Sequence, residues 1–227
     1  MIEYIVPCNI DDRILARTAN LLEKGGTAAI PTDTSWSVIC SMNSREGIKR
    51  LRALSQERNE RFFTLLCSDI SQFGELCSLD NSRFRLIKRL TPGPYVFVLK
   101  TLLGTEKALG LRRQEIGVRL PDYPVPAALI EALGCPLYGI TAKRSMCAGV
   151  EDIGNDDDNQ NEQAEDPDAG YYREETLFDG GWELEDIRGL DLVLDPGEDR
   201  NRIFSTVLDI SSGEVNLLRQ GAGPWPV

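Results

Sequence analysis

Thr32, Asp33 and Thr34 follow the short apolar run at 27–30, which Pro31 closes, so a strand end delivers three small polar side chains to one place. In α/β proteins ligands bind beside such strand ends. Two hydroxyls and a carboxylate exchange hydrogen bonds without filling the space a small substrate needs. A plain turn into a loop uses the same residue types. Arg119 stands after Val118 in a second apolar run, which puts a long cation on one face of a strand. Burying it is costly unless a carboxylate or a ligand pairs with it, so a structural ion pair and an anion grip both fit. The chain contains no histidine. That excludes a Ser-His or Cys-His nucleophile pair, a histidine base and a histidine metal ligand. Any chemistry rests on Arg, Lys, Asp, Glu, hydroxyls, backbone amides or a bound metal.

The elements that must hold these residues follow from periodicity and breakers. Asp11 and Asp12 are caps for a helix through Lys24, ended by Gly25-Gly26, and strand 27–30 follows. Further helices are predicted over 44–54, from Asp69, from Asp80 or Asn81 to Leu90, over 124–133 and near 183–188. Strands are predicted over 62–67, 95–100, 116–120, 137–141, 191–195, 205–210 and 215–220, the last two joined by a hairpin at 211–214. This order predicts a twisted, mixed sheet with helices packed on it. A length of 227 residues with 41% apolar content suits one large α/β domain or two small ones.

A net charge of −11 is hostile to nucleic acid, yet residues 151–170 hold nine acids and no Lys or Arg, so all but two of those charges sit there. This Asn/Gln/Asp-rich stretch cannot bury an apolar face and reads as a mobile acidic insertion at about 148–181. Asp156-Asp157-Asp158 lacks the spaced ligands of a calcium loop, so no metal site is assigned. Six scattered cysteines without a Cys-x-x-Cys pair read as buried free thiols. The start Met1–Val6 has no basic and apolar leader pattern, and no apolar run is long enough for a bilayer. The expectation is a soluble, cytoplasmic protein with no membrane partner.

Five segments occur in a fixed order over almost the whole chain: Pro31-Thr32-Asp33-Thr34, Thr91-Pro92-Gly93-Pro94, Gly117-Val118-Arg119-Leu120-Pro121, Ser205-Thr206-Val207-Leu208-Asp209 and Leu218-Arg219-Gln220-Gly221. In this order the chain resembles the YrdC/YciO family. The runs at 63–67, 84–88 and 128–134 resemble its YciO branch. The resemblance implies a single domain over 1–227, a YrdC-like twisted open mixed sheet flanked by helices, with a concave basic surface that binds nucleotide and double-stranded RNA. It also implies a threonylcarbamoyl-adenylate synthase reaction, in which threonine, bicarbonate and ATP with Mg2+ give threonylcarbamoyl-AMP and pyrophosphate for tRNA modification. Such chemistry needs no histidine, because it rests on alignment of reactants and neutralisation of phosphate charge.

Carried over residue by residue, the resemblance makes Thr32, Thr34 and Arg119 substrate-binding, and Thr141, Lys143, Ser205, Thr206 and Arg219 nucleotide-binding. Two steps depart from the synthase pattern. A Lys-x-Arg step aligns with Ser55-Gln56-Glu57, leaving Arg58 and Arg61 as nearby substitutes at the nucleotide, and a Ser-x-Asn step aligns with Thr141-Ala142-Lys143. No residue is assigned a catalytic role. The expectation is a YciO-like nucleotide- and RNA-binding protein with an altered synthase site, the alternative being a non-catalytic paralogue that binds tRNA or double-stranded RNA. Basic clusters at 49–61 and at 83–89 fit RNA or a solvated helix face. Thr91-Pro92-Gly93-Pro94 reads as a rigid turn, and Trp36 and Trp182 as core or lid residues.

Overall fold

Ten strands join in one mixed sheet in the computed structural model, which describes residues 1–55, 63–102, 115–147 and 174–226. The chain runs β1 (Ile2–Tyr4), α1 (Asp12–Glu23), β2 (Ala28–Pro31), β3 (Trp36–Ser41), α2 (Arg45–Ser55) and β4 (Thr64–Leu66). It continues α3 (Ile70–Leu76), α4 (Asn81–Leu90), β5 (Tyr95–Lys100), β6 (Glu115–Arg119), α5 (Pro124–Leu133) and β7 (Leu137–Thr141). Short 3-10 turns precede β8 (Leu192–Asp195), β9 (Thr206–Asp209) and β10 (Asn216–Arg219). In space the order is β1-β8-β2-β3-β7-β4-β6-β5-β9-β10. Parallel pairs (β1 with β8, β2 with β8, β4 with β6, β5 with β9) alternate irregularly with antiparallel ones, including the β9–β10 hairpin.

Local chemistry sets the helix starts. Asp11, Asp69 and Asp80 each accept a backbone N–H of the first turn, at 2.8, 2.6 and 2.8 Å. At Gly25 the backbone turns to φ +90°, a conformation that costs other residues, and the chain drops from α1 into β2.

The two faces of the sheet are covered unequally. On one, α2, α3 and α4 contribute Ile48, Leu51, Phe73, Leu76 and Ile87 to a core that runs from Val38 on β3 to Leu208 on β9. On the other, α1 and α5 seal β8, β2, β3, β7 and Leu66 of β4 with Leu22, Val125, Leu129 and Ile130. That second cluster includes no residue of β5, β6, β9 or β10. Side chains alternate along a strand, so with Phe97, Val118 and Leu208 in the first core, Val96, Gly117, Arg119 and Val207, with Ser205 just before β9, face the half that the second cluster leaves uncovered, where Val96, Arg119 and Ser205 are nonetheless buried. Arg219 pairs opposite Val207 and shares that face.

Two strands escape the sequence patterns, β1 and β3. All six residues of β3 are buried, so it lacks the alternation that marks a half-exposed strand. Most of the expected acidic insertion lies outside the described residues. Its C-terminal part does not: residues 174–176 form a 3-10 turn, and Leu177 and Phe178 are buried. Among the described residues no helix is long and apolar enough to cross a membrane.

Candidate functional site: a polar cradle on the uncovered half-face

By register Arg119 is level with Leu66 and Leu137, whereas Thr32 follows β2 at the far end of β3 and β7. They meet because four strand steps of about 20–25° each turn β6 roughly at right angles to β2. The loop after β2 is thereby brought to the end of β6. There Arg119 Nη2 donates to Asp33 Oδ1 at 2.6 Å and Nη1 to Thr34 Oγ1 at 3.0 Å, while Nε points at the Gly93 carbonyl at 3.4 Å. The residue is only 6% exposed. Burial lowers the guanidinium from its ordinary value, and the charge and hydrogen bond of Asp33 pull it back up. Of the two readings the sequence left for Arg119, the ion pair is present.

Thr32 organises the loop itself. Its hydroxyl donates to the Ser35 carbonyl at 2.6 Å and accepts from the Thr34 and Ser35 amides at 3.2 and 3.3 Å. From the other side Arg200 donates to the Thr32 carbonyl at 2.7 Å while its guanidinium lies 4.5 Å from the Tyr123 ring centroid. The Arg200 amide and the Trp36 indole N–H both donate to the Asp179 carbonyl, at 2.8 and 3.0 Å. Trp36 is therefore a buried anchor, whereas Trp182 is 68% exposed.

The second part of the cradle lies where β9 and β10 begin and end. Gly93 bonds to Leu120, and the Thr206 amide donates to Pro94 at 2.9 Å, so the Thr91–Pro94 turn ties the end of β6 to the start of β9. Arg219 Nε donates to the Ser205 carbonyl at 2.9 Å. Two cations stand near the Phe204 ring, Arg219 Cζ at 5.0 Å and Lys143 Nζ at 5.8 Å from its centroid. Lys143, which follows Thr141 at the end of β7, is itself 4% exposed. Thr206 is fully buried, its hydroxyl donating to the Gly223 carbonyl and accepting from the Gly221 amide. A Cβ at Gly221 would fall inside the Phe204 carbonyl, so only glycine allows this crossing. A cleft of about 170 Å³ opens here, lined by Glu174, Ile203, Phe204, Arg219, Gln220 and Gly221.

The structure thus brings Thr32, Thr34 and Arg119 into one bonded unit, and gathers Lys143, Ser205 and Arg219 around Phe204. Thr206 serves the backbone crossing. Arg58 and Arg61 lie outside the described residues. In the other basic groups, Arg50 is bound to Asp191 and to the Gly189 carbonyl, and Arg83 to Asp80 and the Ile210 carbonyl. Sequence reasoning missed Arg200, Tyr123, Phe204 and the carbonyl of Gly93. Arg200 sits in a polar loop without pattern, so no signal pointed to it.

Fold and site define a mixed α/β protein with a polar cradle on the uncovered half of one sheet face. The chain belongs to the Sua5/YciO/YrdC family, whose model, described as telomere recombination, matches residues 20–162. It is 36% identical over 135 residues to the uncharacterized protein YciO of Escherichia coli K12, covering 59% of this chain and 66% of that one, just under two thirds of it. The crystal structure of E. coli YciO superimposes with a TM-score of 0.79 over 100% of this chain and 98% of that one, at 27% identity. A threonylcarbamoyl-AMP synthase of Neisseria gonorrhoeae is 26% identical over 140 residues, 59% of this chain and 74% of that one. The fold is also shared with P. abyssi Sua5 complexed with L-threonine, at a TM-score of 0.76 and 20% identity over 97% of this chain and 57% of that one.

Proposed function

We propose that the chain binds a nucleotide and a small amino acid in the cradle and performs an altered form of the synthase reaction, in which threonine, bicarbonate and ATP give threonylcarbamoyl-AMP and pyrophosphate for tRNA modification. The observation that carries this reading is the Arg119–Asp33–Thr34 unit, bonded together on the same uncovered face that bears Ser205 and Arg219. Thr32 and Thr34 shape the amino-acid end and Arg119 supplies its cation. Thr141, Lys143, Ser205, Thr206 and Arg219, together with Arg58 and Arg61, serve the nucleotide. The synthase name of the Neisseria relative supports ATP as the nucleotide, and the threonine bound to P. abyssi Sua5 supports the amino acid. In this reading Mg2+ enters on the ATP phosphates. Lys143 and Arg219 then share neutralisation of the pyrophosphate leaving group. We place the protein in the cytoplasm, as one domain with an acidic insertion.

Ser55-Gln56-Glu57, where synthases carry two cations, lowers the rate in this reading. The test is pyrophosphate release from ATP: release that requires both threonine and bicarbonate, and falls in Arg119→Ala, supports the enzyme. A wild-type chain without turnover that binds double-stranded RNA in a salt-sensitive way contradicts it. That result supports the second reading, a non-catalytic RNA-binding paralogue, which the exposed row Arg85, Lys88 and Arg89 on α4 favours.

A further inference from the structure

We propose that Asp33 selects a zwitterionic α-amino acid for the cradle by accepting its ammonium group at Oδ2, an inference that rests on the amino-acid reading above. Asp33 Oδ1 receives Arg119 Nη2 at 2.6 Å. Its other oxygen, Oδ2, is buried and accepts no hydrogen bond among the described residues. The contact is single-point because the rest of the guanidinium is turned elsewhere, Nη1 to Thr34 Oγ1 and Nε to the Gly93 carbonyl. A two-pronged grip on both carboxylate oxygens, the usual arginine geometry, is thereby prevented. Arg200, the next cation along the loop, turns its two Nη groups to the Thr32 carbonyl and the Tyr123 hydroxyl, and its buried Nε makes no hydrogen bond, so it does not serve Oδ2. A buried carboxylate oxygen with no donor is among the less favourable arrangements in a protein, and a ligand N–H removes the deficit.

Charge decides which ligand suits it. Arg119 and Asp33 together are neutral, so a bare carboxylate meets a cation already balanced and adds a second anion beside Asp33. A zwitterion brings a complement to each: its ammonium to Oδ2, its carboxylate to the guanidinium N–H groups of Arg119 that Asp33, Thr34 and Gly93 leave over. A divalent cation is disfavoured by the guanidinium, whose Nη2 lies 2.6 Å from the only carboxylate in the loop. Oδ2 is shielded from solvent in the structure, so ligand entry requires the loop at residues 32–35 to open at this oxygen.

The experiment is calorimetric titration of the full chain with L-threonine and with 2,3-dihydroxybutanoate, which replaces the ammonium by a hydroxyl. Wild type binds L-threonine at least about tenfold more tightly, the worth of a hydrogen bond between charged groups. Asp33→Asn, which keeps the shape and one acceptor for Nη2 but loses the charge, reduces that preference to less than about threefold, with an unchanged near-UV circular dichroism spectrum. Equal binding of the two ligands by wild type, or full preference retained by Asp33→Asn, overturns the assignment of Asp33 and leaves the amino-acid site standing. Failure of wild type to bind L-threonine overturns the amino-acid reading and this inference with it. If Asp33→Asn does not fold, the two-ligand comparison on wild type decides alone.

Discussion

Replacing Arg119 by methionine keeps most of the side-chain volume but strands the Asp33 carboxylate, 13% exposed, without its cation. Two further contacts, to the Thr34 hydroxyl and the Gly93 carbonyl, are lost with it. Removing one partner of a buried ion pair costs about 3–5 kcal/mol, because an uncompensated charge remains. For a chain of this size that lowers the thermal midpoint by about 6–20 °C. Asp33→Ala strands the opposite charge, and Arg119 then keeps only the hydroxyl and the carbonyl. In the double variant both charges are gone, so its loss is smaller than the sum of the two singles by about 1–3 kcal/mol, as expected for residues in direct contact. Urea unfolding followed by tryptophan emission measures all four corners of the cycle, with Trp36 buried in the core beneath the loop as a reporter. A loss below about 1 kcal/mol for Arg119→Met, or single effects that add to the double within about 0.5 kcal/mol, would refute a tightly coupled buried pair.

Arg200→Ala removes the hold on the Thr32 carbonyl and the stack on Tyr123, and is expected to weaken L-threonine binding about tenfold, whereas Arg200→Lys recovers little because it cannot stack and bridge at once. Unchanged threonine affinity in the alanine variant contradicts a positioning role. Although burial pushes the Asp191 carboxyl up, hydrogen bonds from Arg50 and the Thr27 amide hold it below its ordinary range. The stabilisation from this group is therefore complete above the unfolded value near pH 4 and is lost as pH falls through the lowered folded value, so melting curves of wild type drop more steeply below about pH 4 than those of Asp191→Asn; parallel curves contradict this. Burial pushes the Cys40 and Cys77 thiols up to about 12 and raises Cys67 as well, while Cys8 is exposed. An aromatic disulfide reagent at pH 8 is expected to modify Cys8 first and the three buried thiols only on unfolding; early reaction at Cys40 contradicts the burial.

The helices were legible because their signals are local: Asp11, Asp69 and Asp80 cap where their types and spacing place them. The hairpin at 211–214 was legible for the same reason. β3 was not, since a strand buried on both faces shows no alternation, and β1 was not, since three residues at an edge carry too little pattern. The site divides similarly. The family resemblance grouped Arg119 with Thr34, which meet at 3.0 Å in the structure. It could not show that Asp33 balances Arg119, because that contact depends on how far the sheet twists between β2 and β6. Nor could it show that the Gly93 carbonyl braces the same guanidinium from what reads as a rigid turn. Arg200 and Phe204 act through contacts made across the fold, and nothing in their local sequence marks them.

That the uncovered half-face is where amino acid and nucleotide bind is tested most directly by amide chemical-shift mapping of the full chain with L-threonine and then ATP. The expected result is that threonine moves the amides of Thr34, Ser35, Gly93 and Leu120, and ATP those of Ser205, Phe204 and Gly221. Shifts confined to the helical face of α2, α3 and α4, or no shifts at millimolar ligand, would contradict it.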